Sequence, residues 1–342
     1  MSVNVGIVGL GFMGLTHLSN YTKIESANIQ AVCDLNEEKL DLGQQKSQGN
    51  IDVGEMGELD EGSISKYTDY DKMIANSKLD VVDICVPTDA HAKLAVDALN
   101  NGLNVMVEKP IAINLEEARR IVSAAESSSG KCMVGQCIRF WPEYQKIKEI
   151  VDSGEYGSVL AADFSRISPL PDWAWESWLL DAEKSGGAAI DLHIHDTDFI
   201  STLFGEPDAV FSDGLEGPTG GIDYISTHYE YEDGPSAVTA RGGWPFPSTF
   251  PFEMASTVLL EEGAIEFSTL EDPTLKLHPH DGETIVPEIE EGDGWLRELE
   301  YFVDCVENDR EPELARPAEA TQSLRIVLKE VDSVVDSELV EF

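Results

Sequence analysis

The chain has 342 residues, 65 of them Asp or Glu and 23 Lys or Arg, for a formal net charge of −42. That length accommodates two domains or one large one, and so acidic a surface disfavours nucleic acid and anionic membranes as partners. Hydrophobic residues make up 42%, no run approaches the roughly 18 apolar residues of a membrane helix, and the N-terminus lacks a basic region before an apolar block, so a cytoplasmic address without a signal peptide is expected.

Val3 to Val8 is an apolar, β-branched run that predicts a first strand, and the glycine cluster after it opens a helical stretch. Residues 28–34 predict a second strand, 36–48 a helix, 80–87 a strand, 89–101 a helix, 103–107 a strand, 115–127 a helix and 131–136 a strand. Strands alternating with helices predict βαβ units and a parallel sheet. Residues 44–65 interrupt this rhythm as an acidic, glycine-containing insertion ahead of a strand near Tyr67.

Beyond Trp141 the pattern changes. Residues 143–153 and 188–204 predict helices, 208–287 is strand-rich, and helical patterns return at 293–308 and 317–335. Asp233-Gly234 and Glu262-Gly263 each sit between strand-like runs and read as hairpin turns. Gathered strands and gathered helices predict an α+β arrangement on a mainly antiparallel sheet. The five cysteines are odd in number and form no C-x-x-C pair, which argues against a disulfide framework and a structural zinc site.

Gly9-Leu10-Gly11-Phe12-Met13-Gly14 fits G-x-G-x-x-G between a strand and a helix. Gly9 allows the tight turn, Gly11 lets the backbone approach a pyrophosphate at the helix N-terminus, and Gly14 lets that helix pack closely. Asp34 ends the second strand, where a carboxylate accepts hydrogen bonds from a ribose diol and repels a 2′-phosphate. NAD is expected, with NADP less favoured; the alternative is a glycine turn that only packs.

Glu108-Lys109-Pro110 follows a strand end, where ligands of open α/β sheets gather, and Pro110 is suited to a cis peptide. A surface lysine is the alternative. In residues 185–198, Asp191 and His195 are i and i+4 and share a helical face, so the carboxylate can orient the imidazole and favour its protonated form. Asp198 shares that face, which admits a metal reading, while a helix cap with a solvated acidic face is the third alternative. A metal is not expected, because three ligands on one helix lack a partner motif elsewhere.

These segments together resemble the glucose-fructose oxidoreductase / inositol dehydrogenase / rhizopine catabolism (Gfo/Idh/MocA) family. The resemblance spans nearly the whole chain and is carried by GLGFMG at 9–14, VPTDAHAKLAVDALNNGLNVMVEKP at 86–110, IRFWPEYQKIKEIVDSGEYG at 138–157 and GGAAIDLHIHDTDFI at 186–200. It implies an α/β fold: an N-terminal Rossmann dinucleotide-binding domain over 1–136 and a C-terminal α+β substrate and oligomerisation domain over 137–342. The second domain would be built on a mainly antiparallel open sheet that supports a dimer or tetramer. It implies Lys109, Asp191 and His195 as catalytic residues. Gly9, Gly11, Phe12, Met13, Gly14, Asp34, Pro87, Thr88, His91, Glu108 and Lys109 would line the cofactor. Arg139, Trp178 and His195 would meet the substrate, with Trp173 and Trp175 around the pocket or in the core. The acidic insertion departs from the family pattern.

The expected activity is NAD-dependent hydride transfer between a secondary alcohol of a sugar or polyol and nicotinamide. A base must take the hydroxyl proton. His195 suits this near neutrality, with an ordinary pKa of about 6.5 against about 10.4 for lysine, and Lys109 would stabilise charge on the oxygen; the two roles are exchangeable. The alternatives are a glycosidase that uses NAD transiently through oxidation, elimination and reduction, and a non-catalytic NAD-binding regulator. Charge spread along the chain also predicts salt adaptation. A folded surface of about 14,000 Å² spaces net charges near ~18 Å, inside the Debye length of about 30 Å at 0.01 M salt and outside that of about 8 Å at 0.15 M.

Overall fold

The computed structural model describes residues 2–44 and 59–342. They divide into two units. The first comprises Met1–Cys137, Trp173–Trp178 and Asp293–Thr321; the second comprises Ile138–Asp172, Leu179–Gly292 and Gln322–Phe342.

In the first unit the strands are β1 (Val3–Val8), β2 (Ala27–Cys33), β3 (Ser65–Tyr67), β4 (Val81–Ile84), β5 (Asn104–Glu108) and β6 (Cys132–Gly135). They form one sheet in the order β3-β2-β1-β4-β5-β6, and every pair is parallel. This is the doubly wound Rossmann order, with its switch point between β1 and β4. All four β4 residues are buried, as a parallel sheet covered on both faces requires. The helices are α1 (Phe12–Tyr21), α2 (Tyr70–Asn76), α3 (His91–Asn100) and α4 (Leu115–Ser127). The last starts where Asn114 accepts the Glu117 N–H at 2.9 Å, with Glu116 and Glu117 in its first turn complementing the helix dipole.

The helix expected over 36–48 is replaced, where described, by two 3-10 turns, Glu37–Leu40 and Leu42–Gln44. The Asn36 side chain accepts the Glu38 N–H at 3.0 Å and so starts a turn in competition with an α-helix. The rest of that helix and most of the acidic insertion lie outside the described residues.

The second unit holds β7 (Val159–Pro169), β8 (Ala209–Glu216), β9 (Ile222–Glu230), β10 (Ala237–Phe246), β11 (Glu253–Leu260), β12 (Gly263–Ser268), β13 (Leu275–Pro279) and β14 (Val340–Glu341). Their order is β13-β12-β11-β7-β10-β9-β8-β14. The β7–β10 pair is parallel and the other named pairs are antiparallel. The mainly antiparallel sheet is thus as expected, but its central strand β7 escapes the sequence reading. Polar Ser165, Arg166 and Ser168 are all buried there, which erases the apolar alternation. At the second hairpin, Leu260 pairs with Gly263, so Glu261-Glu262 form the turn and Gly263 opens β12. Asp233-Gly234 lies within a longer connection between Glu230 and Ala237.

The strand register places Phe211, His228, Thr239, Asp163 and Thr257 in one row across the sheet. On that face Phe211, Leu215 and Leu259 are 39%, 62% and 43% exposed. The helices of the unit are α5 (Pro142–Ser153), α6 (Ala182–Ser185) and α7 (Ile194–Phe204). An aromatic cluster of Tyr144, Phe164, Phe199 and Phe267 fills its core edge to face. Beside it Arg166 makes two 3.0–3.1 Å hydrogen bonds to Asp196 and one of 3.0 Å to the Tyr144 hydroxyl.

Two further helices complete the chain. The first, α8 (Gly294–Glu307), belongs to the first unit and is capped by Asp293, whose side chain accepts the Leu296 N–H at 2.8 Å. The second, α9 (Pro317–Asp336), carries the division between Thr321 and Gln322. Among the described residues no cysteine is in a disulfide. Among the described residues no helix is long and apolar enough to cross a membrane.

Candidate active site

The glycine loop has the geometry its spacing predicts. Gly9 follows β1 with φ +90°, and a Cβ there would lie 2.6 Å from the Cys85 carbonyl oxygen. A Cβ on Gly14 would lie 1.8 Å from the Gly9 oxygen, whereas one on Gly11 would meet nothing within 4 Å. Two glycines are therefore required by packing and the third borders open space at the N-terminus of α1. Phe12, the first residue of α1, packs against Trp173 at 5.3 Å between ring centroids and Trp295 at 6.3 Å. Met13 follows it and is partly buried.

Asp34 lies just past β2 and is only 8% exposed. Its Oδ2 accepts the Leu10 N–H at 2.7 Å, and its Oδ1 accepts the Asn36 N–H at 2.8 Å. Lys39 Nζ stands 3.6 Å from the carboxylate and 5.0 Å over the Trp175 ring. Asp34 is thus locked to the glycine loop. The sequence does not reveal that Lys39 and Trp175 border it, because they come from a 3-10 turn and a distant segment.

Beyond β4, Pro87 precedes a 3-10 turn, Thr88–Ala90, that leads into α3. Thr88 is buried, and its Oγ1 has no hydrogen-bond partner among the described residues. His91 has one ring nitrogen 2.9 Å from the Val86 carbonyl and the other 2.9 Å from the Pro110 carbonyl. Burial lowers its pKa against the pull of those two oxygens. Glu108 ends β5, and its Oε2 accepts the Lys109 N–H at 3.1 Å; the Lys109–Pro110 peptide is cis. Gln136 just beyond β6 was not anticipated. It is 1% exposed, and neither side-chain amide atom has a hydrogen-bond partner among the described residues. Its signal was its place at a strand's carboxyl end, shared with Gly9, Asp34 and Lys109.

In the second unit, Asp191 lies in a π-helical turn, Ala189–His193, that runs directly into α7. Such turns are uncommon and concentrate at functional sites. Asp191 and His195 are 9% and 8% exposed. The neighbouring ionisable residues are committed to the core. His193 Nε2 meets Glu330 at 2.8 Å, Asp196 pairs with Arg166, and Asp198 pairs with Arg139 while accepting the Ser323 hydroxyl at 2.6 Å. The Asp198 carboxylate, the third member of the metal reading, is therefore a structural acceptor. Arg139 binds it through two 2.8 Å hydrogen bonds, which fix the guanidinium plane. Trp178 is partly buried and falls with Trp173 and Trp175 in the first unit. A further polar cluster absent from the sequence reading brings His17 together with Asp83 and Cys85, and with Glu108 and Glu298.

A glycine loop, an acidic β2 end and a lysine at the β5 end define the class of dinucleotide-dependent oxidoreductases. Open space at Gly11 and the unpartnered buried atoms of Thr88 and Gln136 fit such a cofactor, with its pyrophosphate at the α1 N-terminus. Residues 3–136 match the family described as "Oxidoreductase family, NAD-binding Rossmann fold", and residues 144–265 match the GFO/IDH/MocA C-terminal domain. The chain belongs to the GFO/IDH/MocA oxidoreductase family. It is 27% identical to a scyllo-inositol 2-dehydrogenase (NAD(+)) of Bacillus subtilis, over 97% of this chain and 94% of the relative. It is 25% identical to a D-xylose 1-dehydrogenase (NADP(+)) of Haloferax volcanii, over 81% and 83%. A solved structure of levoglucosan dehydrogenase with NADH and levoglucosan shares the fold at TM-score 0.84 and 19% identity, covering 100% of this chain and 99% of that one.

Proposed function

We propose that this protein is an NAD-dependent dehydrogenase acting on a secondary alcohol of a sugar or polyol in the cytoplasm. The observation that carries the reading is Lys109 at the carboxyl end of β5, on the same sheet edge as the glycine loop and Asp34. Bound NAD supplies the hydride acceptor. His195 takes the hydroxyl proton, oriented by Asp191, and Lys109 donates a hydrogen bond to the oxygen as negative charge develops on it. Glu108, Pro87, Thr88 and His91 shape the cofactor side, and Arg139 and Trp178 the substrate side. Incubating the purified protein with a panel of sugars and polyols and following NADH absorbance tests the reading. Release of a free sugar from glycosides without net NADH would instead indicate the oxidation-elimination-reduction glycosidase. NAD binding without turnover of either kind would indicate a regulator.

Asp34 sets the cofactor preference in this proposal. Titration calorimetry is expected to show NAD bound more tightly than NADP, and Asp34→Ser to narrow the gap. Tighter NADP binding by the unaltered protein would mean that Lys39 beside Asp34 governs the ribose side.

The exposed apolar residues Phe211, Leu215 and Leu259 support assembly of a dimer or tetramer through the second unit's sheet. Like-charged subunits repel most strongly in dilute buffer, so the melting temperature is expected to rise from low to molar salt while light scattering reports a larger oligomer. A flat melting temperature across that range would make the acidic surface a solubility feature alone.

A further inference from the structure

His17 lies on α1 and is fully buried. Its Nδ1 stands 2.8 Å from Asp83 Oδ2, and its Nε2 stands 3.1 Å from Glu108 Oε1 and 3.9 Å from Glu298 Oε1. Asp83 and Glu298 are 0% exposed and Glu108 is 5% exposed. Three elements, β4, β5 and α8, thus direct a carboxylate at one imidazole, and Cys85 Sγ approaches the same ring at 3.4 Å. Neither Glu298 oxygen has a hydrogen-bond partner among the described residues.

Three carboxylates in a dry site cannot all be ionised without a cation among them. Burial by itself would lower the His17 pKa, but Asp83, through its charge and its hydrogen bond, and Cys85 beside it raise it well above the ordinary histidine value. Burial, and then the charge of Glu108, raise Glu298 well above the ordinary carboxylate range, so it keeps its proton. Only a protonated ring offers a donor at both nitrogens; here Nδ1 is hydrogen-bonded to Asp83, while Nε2 meets Glu108 at ion-pair distance without hydrogen-bond geometry. The carboxyl group nearest Nε2 belongs to Glu108, whose second oxygen accepts the Lys109 N–H.

We infer that His17 is a positioning residue for the dehydrogenase: it anchors Glu108, and through Glu108 the backbone of Lys109, so that the lysine is presented to the reacting oxygen in a fixed place. The inference rests on the assignment of Lys109 to the reaction. The pinning is two-sided, because the residue after Lys109 is held by its own buried histidine, with the Pro110 carbonyl 2.9 Å from His91 Nδ1. His17 Nε2, Glu108 and Glu298 also lie within 4.8 Å of one another, a spacing that a divalent cation would suit. One proton on His17 and one on Glu298 leave a compact ion cluster that needs no metal.

A double-mutant cycle on the full-length enzyme tests this. His17→Ala, His17→Gln, Lys109→Ala and the double variant His17→Ala/Lys109→Ala are assayed on the best substrate of the panel, with NADH affinity read by fluorescence. His17→Ala is expected to lower kcat by about 10- to 10²-fold, the scale of a misplaced reacting group. Substrate KM and NADH affinity are expected to stay within about threefold, and His17→Gln, which keeps one donor, to recover part of the loss. In the Lys109→Ala background the same substitution is expected to cost nothing further. An equal proportional loss in both backgrounds, or a change in NADH affinity with kcat intact, would overturn the inference. So would a stoichiometric metal in the purified enzyme that disappears with His17→Ala. Near-normal turnover in Lys109→Ala alone would remove the lysine from the reaction and the inference with it. If His17→Ala fails to fold, the cycle is run with His17→Gln and read by the same criteria.

Discussion

Lys109→Ala is expected to lower kcat by about 10²- to 10⁴-fold, and His195→Ala by a similar factor, the usual cost of removing a group that assists proton transfer. NADH affinity should stay close to that of the unaltered enzyme in both. The backbone at residue 109 is held by Glu108 and by the His91 contact to the Pro110 carbonyl, not by the lysine side chain. His195 is not among the residues assigned to the cofactor. Stopped-flow measurement of the hydride step together with equilibrium NADH binding checks this. The pH dependence separates the two roles: loss of the base removes the acidic limb of the kcat profile, whereas loss of the oxyanion partner lowers the whole curve. Turnover within a few fold of normal in either variant would exclude that residue.

Arg166→Ala is expected to destabilise the second unit by about 3 to 5 kcal/mol, as removing one partner of a buried pair does. Arg166 is 2% exposed and Asp196 0% exposed, so truncating the arginine leaves a carboxylate without its counter-charge and the Tyr144 hydroxyl without its donor. A double replacement, Arg166→Met with Asp196→Leu, is expected to cost much less, because no charge then remains buried. Urea unfolding of the three proteins measures both. A loss under about 1 kcal/mol for Arg166→Ala would mean that water reaches Asp196 and that the pair is not dry.

These two predictions differ in how far the sequence anticipates them. Lys109 follows the apolar run Val105–Val107 and Glu108, and the alternation of strands with helices predicts the parallel sheet that puts it at a strand end. The glycine loop was equally legible, since a Cβ at Gly9 or Gly14 collides with backbone and the spacing of the three glycines encodes that constraint. Arg166 was opaque. It makes β7 look like a polar connection, because the residue that neutralises it, Asp196, is remote in sequence and enters on another element. The same reason hid His17, whose partners come from β4, β5 and α8. Periodicity reports which faces are apolar and is silent about charges that cancel one another inside a core. Lys39 and Trp175 beside Asp34 were missed for a related cause, since neither lies in a regular element whose period could have predicted its direction.

The segment Asp293–Thr321 bears on how this enzyme can be dismantled. It returns to the first unit and supplies Glu298 to the His17 cluster, Trp295 to the Phe12 ring and the Ala315 carbonyl to the β6 amide of Val134, at 2.9 Å. Asp309 lies 2.6 Å from the buried Lys131 ammonium. A fragment ending near residue 137 would hold the complete six-stranded sheet and every glycine of its loop, yet would leave His17 short of one neighbour and Lys131 without its counter-ion. The nucleotide-binding half is therefore not a portable cassette. A chimera that borrows it must also carry the stretch Asp293–Thr321, and Trp173–Trp178 would still have to reach that unit from the remainder of the chain.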